Sequence, residues 1–280
     1  MAVILVRYSE IGLKSRPVRK RFENQLKDNM VNMLISDKIE ALVTSDGSRL
    51  YVTADNIGDA ARSIRRVFGI SSLSVAETCG SAMNEICATA AEYSGSRIKK
   101  GQSFAVRARR EGEHPYTSME LGRDAGSAIY TANDGLKVDL TNPDVTFYIE
   151  VRNNKAFIFD SYVRSYAGLP LGSQGKVTAE VNDDRGLLSA WLMMKRGCRT
   201  MIRGDHDVNL LRAFDPSLKI VGEDERHNYQ KEILGNVLGT SMDGLSDVDV
   251  SKYDVPVYFP TIGMSDAEVS EMLGRIRSEI

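Results

Sequence analysis

The chain has 280 residues, of which 42% are hydrophobic, and its formal net charge is −2. This length allows a sizeable core and two domains, while no apolar run approaches the length of a membrane span. The opening MAVILV is interrupted by Arg7 and lacks a basic leader, so we expect a strand there and not a signal peptide. The three cysteines show no metal-type spacing, and their scarcity predicts a reducing, cytoplasmic location.

Charge is distributed unevenly along the chain. Residues 1–165 contain 23 Lys and Arg against 20 Asp and Glu, whereas residues 166–280 contain 13 against 18. A polyanionic partner is therefore expected to contact the N-terminal part.

The first 76 residues predict a small α+β unit. A strand over 2–8 precedes a helix that Pro17 suits as a first-turn residue. A hairpin over 40–54, a helix over 57–68 and a strand over 72–77 follow. Cations crowd the start of the first helix, where they oppose the helix dipole, so they indicate either a bound anion or an ordinary solvated face.

Residues 81–162 alternate between helices and strands. A helix over 81–93 is followed by a strand over 102–110, in which Arg107 and Arg109 face one way. Thr117 or Ser118 is expected to cap the next helix, with Glu120 in its first turn. Two strands, 145–151 and 156–162, are joined by Asn153-Asn154. Tyr116 either stacks on an unpaired base or packs in the core.

The stretch from Gly168 to Gly197 predicts a strand, a turn and a helix. In α/β proteins a nucleotide phosphate often binds backbone N–H groups at such a helix start. Here the turn carries Asp183 and Asp184, which repel phosphate unless a magnesium ion reverses the sign. The alternative is a solvated turn whose aspartates stabilise the helix N-terminus.

The C-terminal part continues the alternation. We expect a central strand over 198–202, a helix over Glu225–Leu238, a late strand over 256–259, and a last helix capped by Ser265 and Glu268. Asp205-His206-Asp207 and His227 are interpreted as solvated loop residues. Cys79, Cys87 and Cys198 are interpreted as structural.

Several motifs resemble one known family. SFAVRARR, TSMELGRDAGSAI and LKVDLTNPDVTFYIEVRNNKAFIF resemble the THUMP domain, an RNA-binding module. RYSEIGLKS resembles the ferredoxin-like domain of the tRNA 4-thiouridine synthetases, and LPLGSQGKV with LMMKRG resembles their ATP pyrophosphatase (PP-loop) domain. Between these last two motifs the family carries Ser-Gly-Gly-x-Asp-Ser, which is absent here.

The resemblance implies an α+β N-terminal region followed by an α/β, Rossmann-like parallel-sheet domain. The expected domains are a ferredoxin-like domain (1–76), a THUMP domain (77–165), a linker (166–175) and a degenerate pyrophosphatase-like domain (176–280). It also implies that the first two domains hold the acceptor end of tRNA. The candidate RNA-binding residues are Lys14, Arg16, Arg19, Lys20, Lys99, Lys100, Arg107, Arg109, Arg110 and Arg123.

Two functional hypotheses follow from this resemblance. The first is a tRNA-binding protein that acts in tRNA modification, needs no cofactor, and is assisted by a second copy or by a separate catalytic or sulfur-donor protein. The second is an active enzyme that uses ATP and magnesium to adenylate a tRNA uridine and receives sulfur from another protein. In that case the nucleotide-binding residues would be Lys176, Asp183, Asp184 and Gly186. None of the cysteines matches a catalytic position of the family, and a small-molecule enzyme lacks support.

Overall fold

The structure, a computed structural model, describes residues 2–8, 10–46, 49–222 and 232–280. These residues form two compact units that do not follow chain order. The first unit comprises Met1–Val6, Thr44–Ala61 and Leu73–Val163, and the second comprises Arg7–Val43, Arg62–Ser72 and Arg164–Ile280. Within the described ranges, no helix is long and apolar enough to cross a bilayer.

Nine strands form a mixed sheet, most of which belongs to the first unit. Its order is β2-β3-β1-β4-β8-β7-β5-β6, with β9 paired to β4. The strands are β1 (Ala2–Arg7), β2 (Ala41–Ser45), β3 (Leu50–Ala54), β4 (Ser72–Gly80), β5 (Ser103–Glu111), β6 (Lys137–Val138), β7 (Val145–Arg152), β8 (Lys155–Phe159) and β9 (Val163–Arg164). The predicted hairpin over 40–54 corresponds to β2 and β3, although residues 47 and 48 of its turn lie outside the described residues.

Two helices cover one face of this sheet, α3 (Met83–Gly95) and α4 (Ser118–Ala132). Their buried residues form one core with strands β5, β7 and β8. Thr117, one of the two predicted capping residues, caps α4 and forms a capping box with Glu120. Tyr116 is 7% exposed and its hydroxyl donates to the Ser81 carbonyl at 2.6 Å. Of its two predicted roles, the structure therefore supports packing.

The opposite face of the sheet is concave. Tyr51 of β3 stacks on Phe157 of β8 with ring centroids 5.4 Å apart, although β1 and β4 lie between these strands. Arg49, next to β3, similarly reaches Glu150 of β7 at 2.8 Å. A flat sheet would hold such strands too far apart for these contacts, so the sheet is strongly curved.

The second unit contains a sheet of five parallel strands in the order β12-β11-β10-β13-β14. These strands are β10 (Lys176–Glu180), β11 (Arg199–Arg203), β12 (Lys219–Ile220), β13 (Ile233–Val237) and β14 (Val257–Tyr258). An all-parallel sheet with helices confirms the predicted α/β class.

The described helices of this unit are α1 (Arg16–Ser36), α5 (Asp184–Lys195), α6 (Asn209–Arg212) and α7 (Asp266–Ser278). Helix α2 (Ile57–Arg65) divides between the two units. Short 3-10 turns occur at Glu10–Leu13, Asp243–Asp247 and Val250–Lys252. Ser265 and Glu268 form the predicted capping box of α7.

One prediction for the second unit is wrong. Residues Ile233–Val237 form strand β13 instead of part of a helix over Glu225–Leu238. A Cβ at Gly235 would lie 2.3 Å from the Tyr258 ring, so this strand requires glycine where β14 approaches. Residues 225–231 lie outside the described residues.

An aromatic cluster forms part of the core of the second unit. Phe68, Tyr166, Trp191 and Phe214 have ring centroids 4.8–6.0 Å apart and are all at most 8% exposed. Phe68 follows α2, Tyr166 precedes the first strand of the parallel sheet, Trp191 lies in α5 and Phe214 follows α6. Edge-to-face and stacked pairs of this kind add to the stabilisation from burial alone.

A buried carboxylate lies close to this cluster in sequence. Asp215 is 3% exposed, and its Oδ1 accepts the backbone N–H of Ser217 at 3.0 Å. Its Oδ2 has no hydrogen-bond partner among the described residues. Asp215 lines a cavity of about 20 Å³ together with Asn29 and Arg199. Burial raises the pKa of Asp215, and the charge of Arg199 only partly opposes this.

Because this pKa is raised in the folded state, the ionised carboxylate lowers stability above the ordinary Asp pKa of about 3.9. We expect Asp215→Asn to raise the free energy of unfolding at pH 7 by about 1 kcal/mol. The gain should disappear near pH 3, where the carboxyl group is protonated in both states. Urea unfolding at several pH values measures this, with the exposed Asp207→Asn as control. A gain that persists unchanged at pH 3 would contradict the explanation.

Candidate nucleic-acid interface

A groove of about 1000 Å³ runs along β5 and α4 in the first unit. Strand β6 pairs only with Ser103 and Phe104 of β5. Beyond Phe104, no described strand continues that edge of the sheet. The groove is therefore open along most of β5 and has α4 as one wall.

Three of the predicted RNA-binding arginines line this groove, Arg107, Arg109 and Arg123. Arg107 donates to the Leu140 carbonyl, and Arg123 pairs with Asp124 at 2.8 Å. Arg109 is exposed and forms no ion pair with any described residue. Guanidinium groups stay charged at all physiological pH values, so the groove carries a permanent positive charge.

Large apolar side chains line the same groove and remain exposed. Met119 is 84% exposed and Tyr130 is 53% exposed, both on α4. The other members of this apolar set are Val138, Leu140 and Tyr162. Contiguous exposed apolar surface beside arginines is typical of a binding site, and such a site combines phosphate contacts with stacking surfaces for unpaired bases.

The remaining predicted cations of the first unit do not line the groove. Lys99 and Lys100 are exposed in the turn before β5, as predicted. Arg110 is exposed on β5 and donates to the Gly112 carbonyl at 2.9 Å. Lys99 and Lys100 therefore lie before the start of β5 and Arg110 lies near its end, and none of the three lines the groove.

The predicted cations at the start of α1 belong to the second unit. Lys14, Arg16 and Lys20 are exposed and form no ion pair with any described residue. Arg19 differs, because its Nε donates to Glu23 at 2.9 Å and its terminal nitrogen to the Tyr8 hydroxyl at 3.1 Å. The hydrogen bond that Arg19 donates to Glu23 raises the pKa of Arg19.

The carboxylates of the two aspartates at the start of α5 accept hydrogen bonds from other groups of the protein. The Asp183 Oδ1 accepts the backbone N–H of Gly186 at 2.7 Å and caps the helix. The Asp184 Oδ1 accepts from Arg277 at 3.1 Å and lies 3.2 Å from the His206 Nε2. One of the amides that would bind a phosphate at this helix start therefore already binds a carboxylate.

Backbone also covers the start of α5. A Cβ at Gly239 would lie 2.3 Å from the Gly186 nitrogen, so the chain after β13 lies directly against the helix terminus. The adjacent cavity of about 300 Å³ is lined by four carboxylates and one lysine. Those carboxylates are Glu180, Asp183, Asp247 and Asp249, and the lysine is Lys252. This charge balance disfavours a triphosphate.

Lys176 lies far from the start of α5, where Asp183 and Asp184 are found. It begins β10 and pairs with Glu232, whereas Asp183, Asp184 and Gly186 follow the carboxyl end of the same strand. Five strand residues span on the order of 15 Å. The structure therefore does not bring the four predicted nucleotide-binding residues together. Among the residues described, no cluster of three or more His, Cys, Asp or Glu side chains suits a metal ion.

Arg185 was not identified from the sequence. It is 9% exposed in the first turn of α5, where a cation opposes the helix dipole. Its guanidinium donates to the Thr261 carbonyl at 2.9 Å and to Asp266 at 2.7 Å. These contacts join the starts of α5 and α7. A cation in the predicted first turn of the helix, directly after two aspartates, was the available signal.

Comparison with known proteins agrees with this architecture. Residues 3–74 match the ThiI ferredoxin-like domain, and residues 80–159 match the THUMP domain. A probable tRNA sulfurtransferase of Methanobrevibacter smithii is 38% identical over 205 residues, which is 71% of this chain and 52% of that protein. The corresponding Methanocaldococcus jannaschii protein is 38% identical over 250 residues, 82% of this chain and 64% of that protein.

Two solved structures resemble the whole chain. PH1313 from Pyrococcus horikoshii superposes with a TM-score of 0.83 at 28% identity and covers 99% of this chain and 100% of that one. A 4-thiouridine synthetase in complex with RNA and ATP superposes with a TM-score of 0.78 at 20% identity, covering 100% of this chain and 86% of that one. The latter likeness supports the fold alone.

The chain thus carries a ThiI ferredoxin-like domain followed by a THUMP domain. It belongs to the tRNA sulfurtransferase, or tRNA 4-thiouridine synthetase, family. It spans about half to two thirds of the length of the curated relatives that it matches.

Arg185 allows a direct test of how the start of α5 is held. We expect Arg185→Ala to lower the free energy of unfolding by about 1–3 kcal/mol, because the buried Thr261 carbonyl loses its charged donor. Arg277→Ala removes a half-exposed ion pair and should cost less than about 1 kcal/mol. Urea unfolding of both variants gives the comparison, and equal losses would contradict the assigned role.

Proposed function

We propose that this chain binds tRNA during tRNA modification and does not itself activate the RNA with ATP. The observation that carries the proposal is the contrast between its two candidate sites. Arginines and exposed apolar side chains share one open groove along β5, whereas the start of α5 is occupied by Asp183 and covered at Gly239.

The groove suits an RNA segment with unpaired bases. Arg107, Arg109 and Arg123 would contact phosphates, which positions RNA without reading its sequence. Tyr130 and Met119 would contact base faces, which are accessible only where the bases are unpaired. The THUMP match and the names of the relatives support tRNA as the ligand, and the acceptor end is the unpaired segment that we propose.

The cysteines support an ancillary role in thiolation. Burial raises the pKa of Cys79, Cys87 and Cys198 above the ordinary thiol value. Burial therefore disfavours the thiolate form of these side chains, whereas sulfur transfer requires a thiolate. We propose that a separate catalytic or sulfur-donor protein completes the modification. We also propose that the protein acts in the cytoplasm.

The groove predicts two separable effects on binding of a 5′-fluorescein-labelled tRNA transcript. The Arg109→Ala, Arg123→Ala double variant should weaken binding and reduce the slope of log K against log salt by about 1.4–1.8, because two phosphate contacts are lost. Lys155→Ala removes an exposed cation on β8, outside the groove lining, and should bind like wild type. Anisotropy titrations at 50–200 mM KCl measure both, and an unchanged slope in the double variant would contradict the groove.

Substitution of Tyr130 tests whether this side chain stacks on an unpaired base of the RNA. We expect Tyr130→Ala to weaken tRNA binding by about 1–3 kcal/mol, the usual contribution of one stacked base, with the salt slope unchanged. Tyr258→Ala removes a partly exposed tyrosine of the second unit and serves as the control. A blunt RNA duplex should bind wild type and Tyr130→Ala equally.

The nucleotide prediction separates the two functional hypotheses. Titration calorimetry with ATP and magnesium should give no binding below about 1 mM, with or without tRNA, because the helix start lacks room and positive charge. A tRNA-dependent release of pyrophosphate that is lost in Asp183→Ala would instead establish the active enzyme with a separate sulfur donor.

A further inference from the structure

A second cavity in the first unit, of about 450 Å³, lies between the β2–β3 hairpin and the turn that joins β7 to β8. It is separate from the groove along β5, since no described residue lines both. Small-molecule sites in proteins have volumes of this order and are mostly apolar, with a few polar groups that fix the ligand. The curved sheet therefore leaves room for a small molecule as well as for the groove.

The apolar side chains of this cavity are held in place before any ligand binds. Val3 and Phe157 line it and are buried, and Phe157 stacks on Tyr51. The Tyr51 hydroxyl donates to the Asp46 Oδ2 at 2.6 Å, which fixes the orientation of the ring. A planar apolar group can pack against these side chains without the cost of ordering them first.

The charged side chains that line the cavity differ in how they are paired. Asp46 accepts from the Tyr51 hydroxyl and, through its Oδ1, from the backbone N–H of Arg49 at 2.9 Å. Arg152 forms an ion pair with Glu111 at 2.6 Å. Lys155 is exposed and forms no ion pair with any described residue. The uncompensated charge in the cavity lining is therefore one positive charge.

Three threonines add uncharged polar groups to the lining. Thr44, Thr53 and Thr78 all line the cavity, and their hydroxyls form no hydrogen bond with any described residue. A hydroxyl group can both donate and accept. The cavity thus combines an aromatic and aliphatic surface, hydroxyl groups and a single unpaired cation.

We propose that this cavity binds a small aromatic carboxylate. The ring of the ligand packs against Val3, Tyr51 and Phe157, and its carboxylate pairs with Lys155. One unpaired lysine matches one negative charge, which favours a monoanion over a polyphosphate. The inference does not rest on the proposed function, because the lining of this cavity is separate from the RNA groove.

Fluorine NMR titrations with para-fluorophenylacetate test the cavity, and the uncharged para-fluorophenylacetamide is the matched probe. The acid should bind the wild-type chain with a Kd on the order of 1 mM, as expected for a ligand of about ten heavy atoms. The amide should bind about three- to fivefold more weakly, because it lacks the ion pair. Lys155→Ala should bind both probes alike. Lys137→Ala removes an exposed lysine outside the cavity lining and should behave like wild type.

A second variant fills the cavity itself. Thr53→Phe adds a ring at a lining position and should abolish detectable binding of the acid. If Thr53→Phe does not fold, the comparison of Lys155→Ala with Lys137→Ala decides alone.

Three results would overturn the inference. The first is that neither probe binds wild type, and the second is that acid and amide bind it equally or that both lysine variants lose the preference for the acid. The third is displacement of the bound acid by tRNA together with loss of tRNA binding in Thr53→Phe, which would assign the cavity to RNA. Lys155→Ala should still bind tRNA like wild type, so this inference and the proposed function can fail separately.

Discussion

The hydrogen bond between the Asp183 carboxylate and the Gly186 amide sets the arrangement at the start of α5 in the second unit. It places a negative group from the chain itself where an α/β nucleotide-binding domain holds a phosphate. The close approach of Gly239 means that removing the carboxylate alone would not open the site. Asp184 and Arg185 form hydrogen bonds with residues of α7, which fix the start of α5 relative to that helix.

The first unit depends on a different constraint, the curvature of the nine-stranded sheet. Curvature brings Tyr51 against Phe157 and fills the concave face with side chains. Strand β5 remains near the edge of this sheet, with its arginines and the exposed residues of α4 on one groove. The first unit therefore exposes a positively charged and partly apolar groove. The second unit exposes an acidic cavity beside the covered start of α5.

Much of this arrangement follows from local sequence. The caps at Thr117 and Ser265 are determined by turn chemistry over a few residues, whereas the α/β class was predicted from the family resemblance. The predicted helix over Glu225–Leu238 was wrong at Ile233–Val237, where Gly235 disfavours a helix. The close contact of Gly235 with Tyr258, which favours the strand, is nonlocal. The curvature of the sheet and the burial of Arg185 are equally nonlocal. The candidate groove was predicted only through its arginines, since periodicity cannot show that Met119 and Tyr130 stay exposed.

The segment over 166–175 has a practical consequence. Tyr166, Leu169 and Leu171 are buried, and the Leu169 and Gly172 amides donate to carbonyls of Lys195 and Gly197 at 3.0 and 2.9 Å. A Cβ at Gly168 would lie 2.2 Å from the Lys195 oxygen. A segment packed in this way resists proteases, and separating the chain there would expose its buried apolar side chains to solvent. The contributions of the two halves to ligand recognition are therefore best separated by single substitutions in the intact polypeptide.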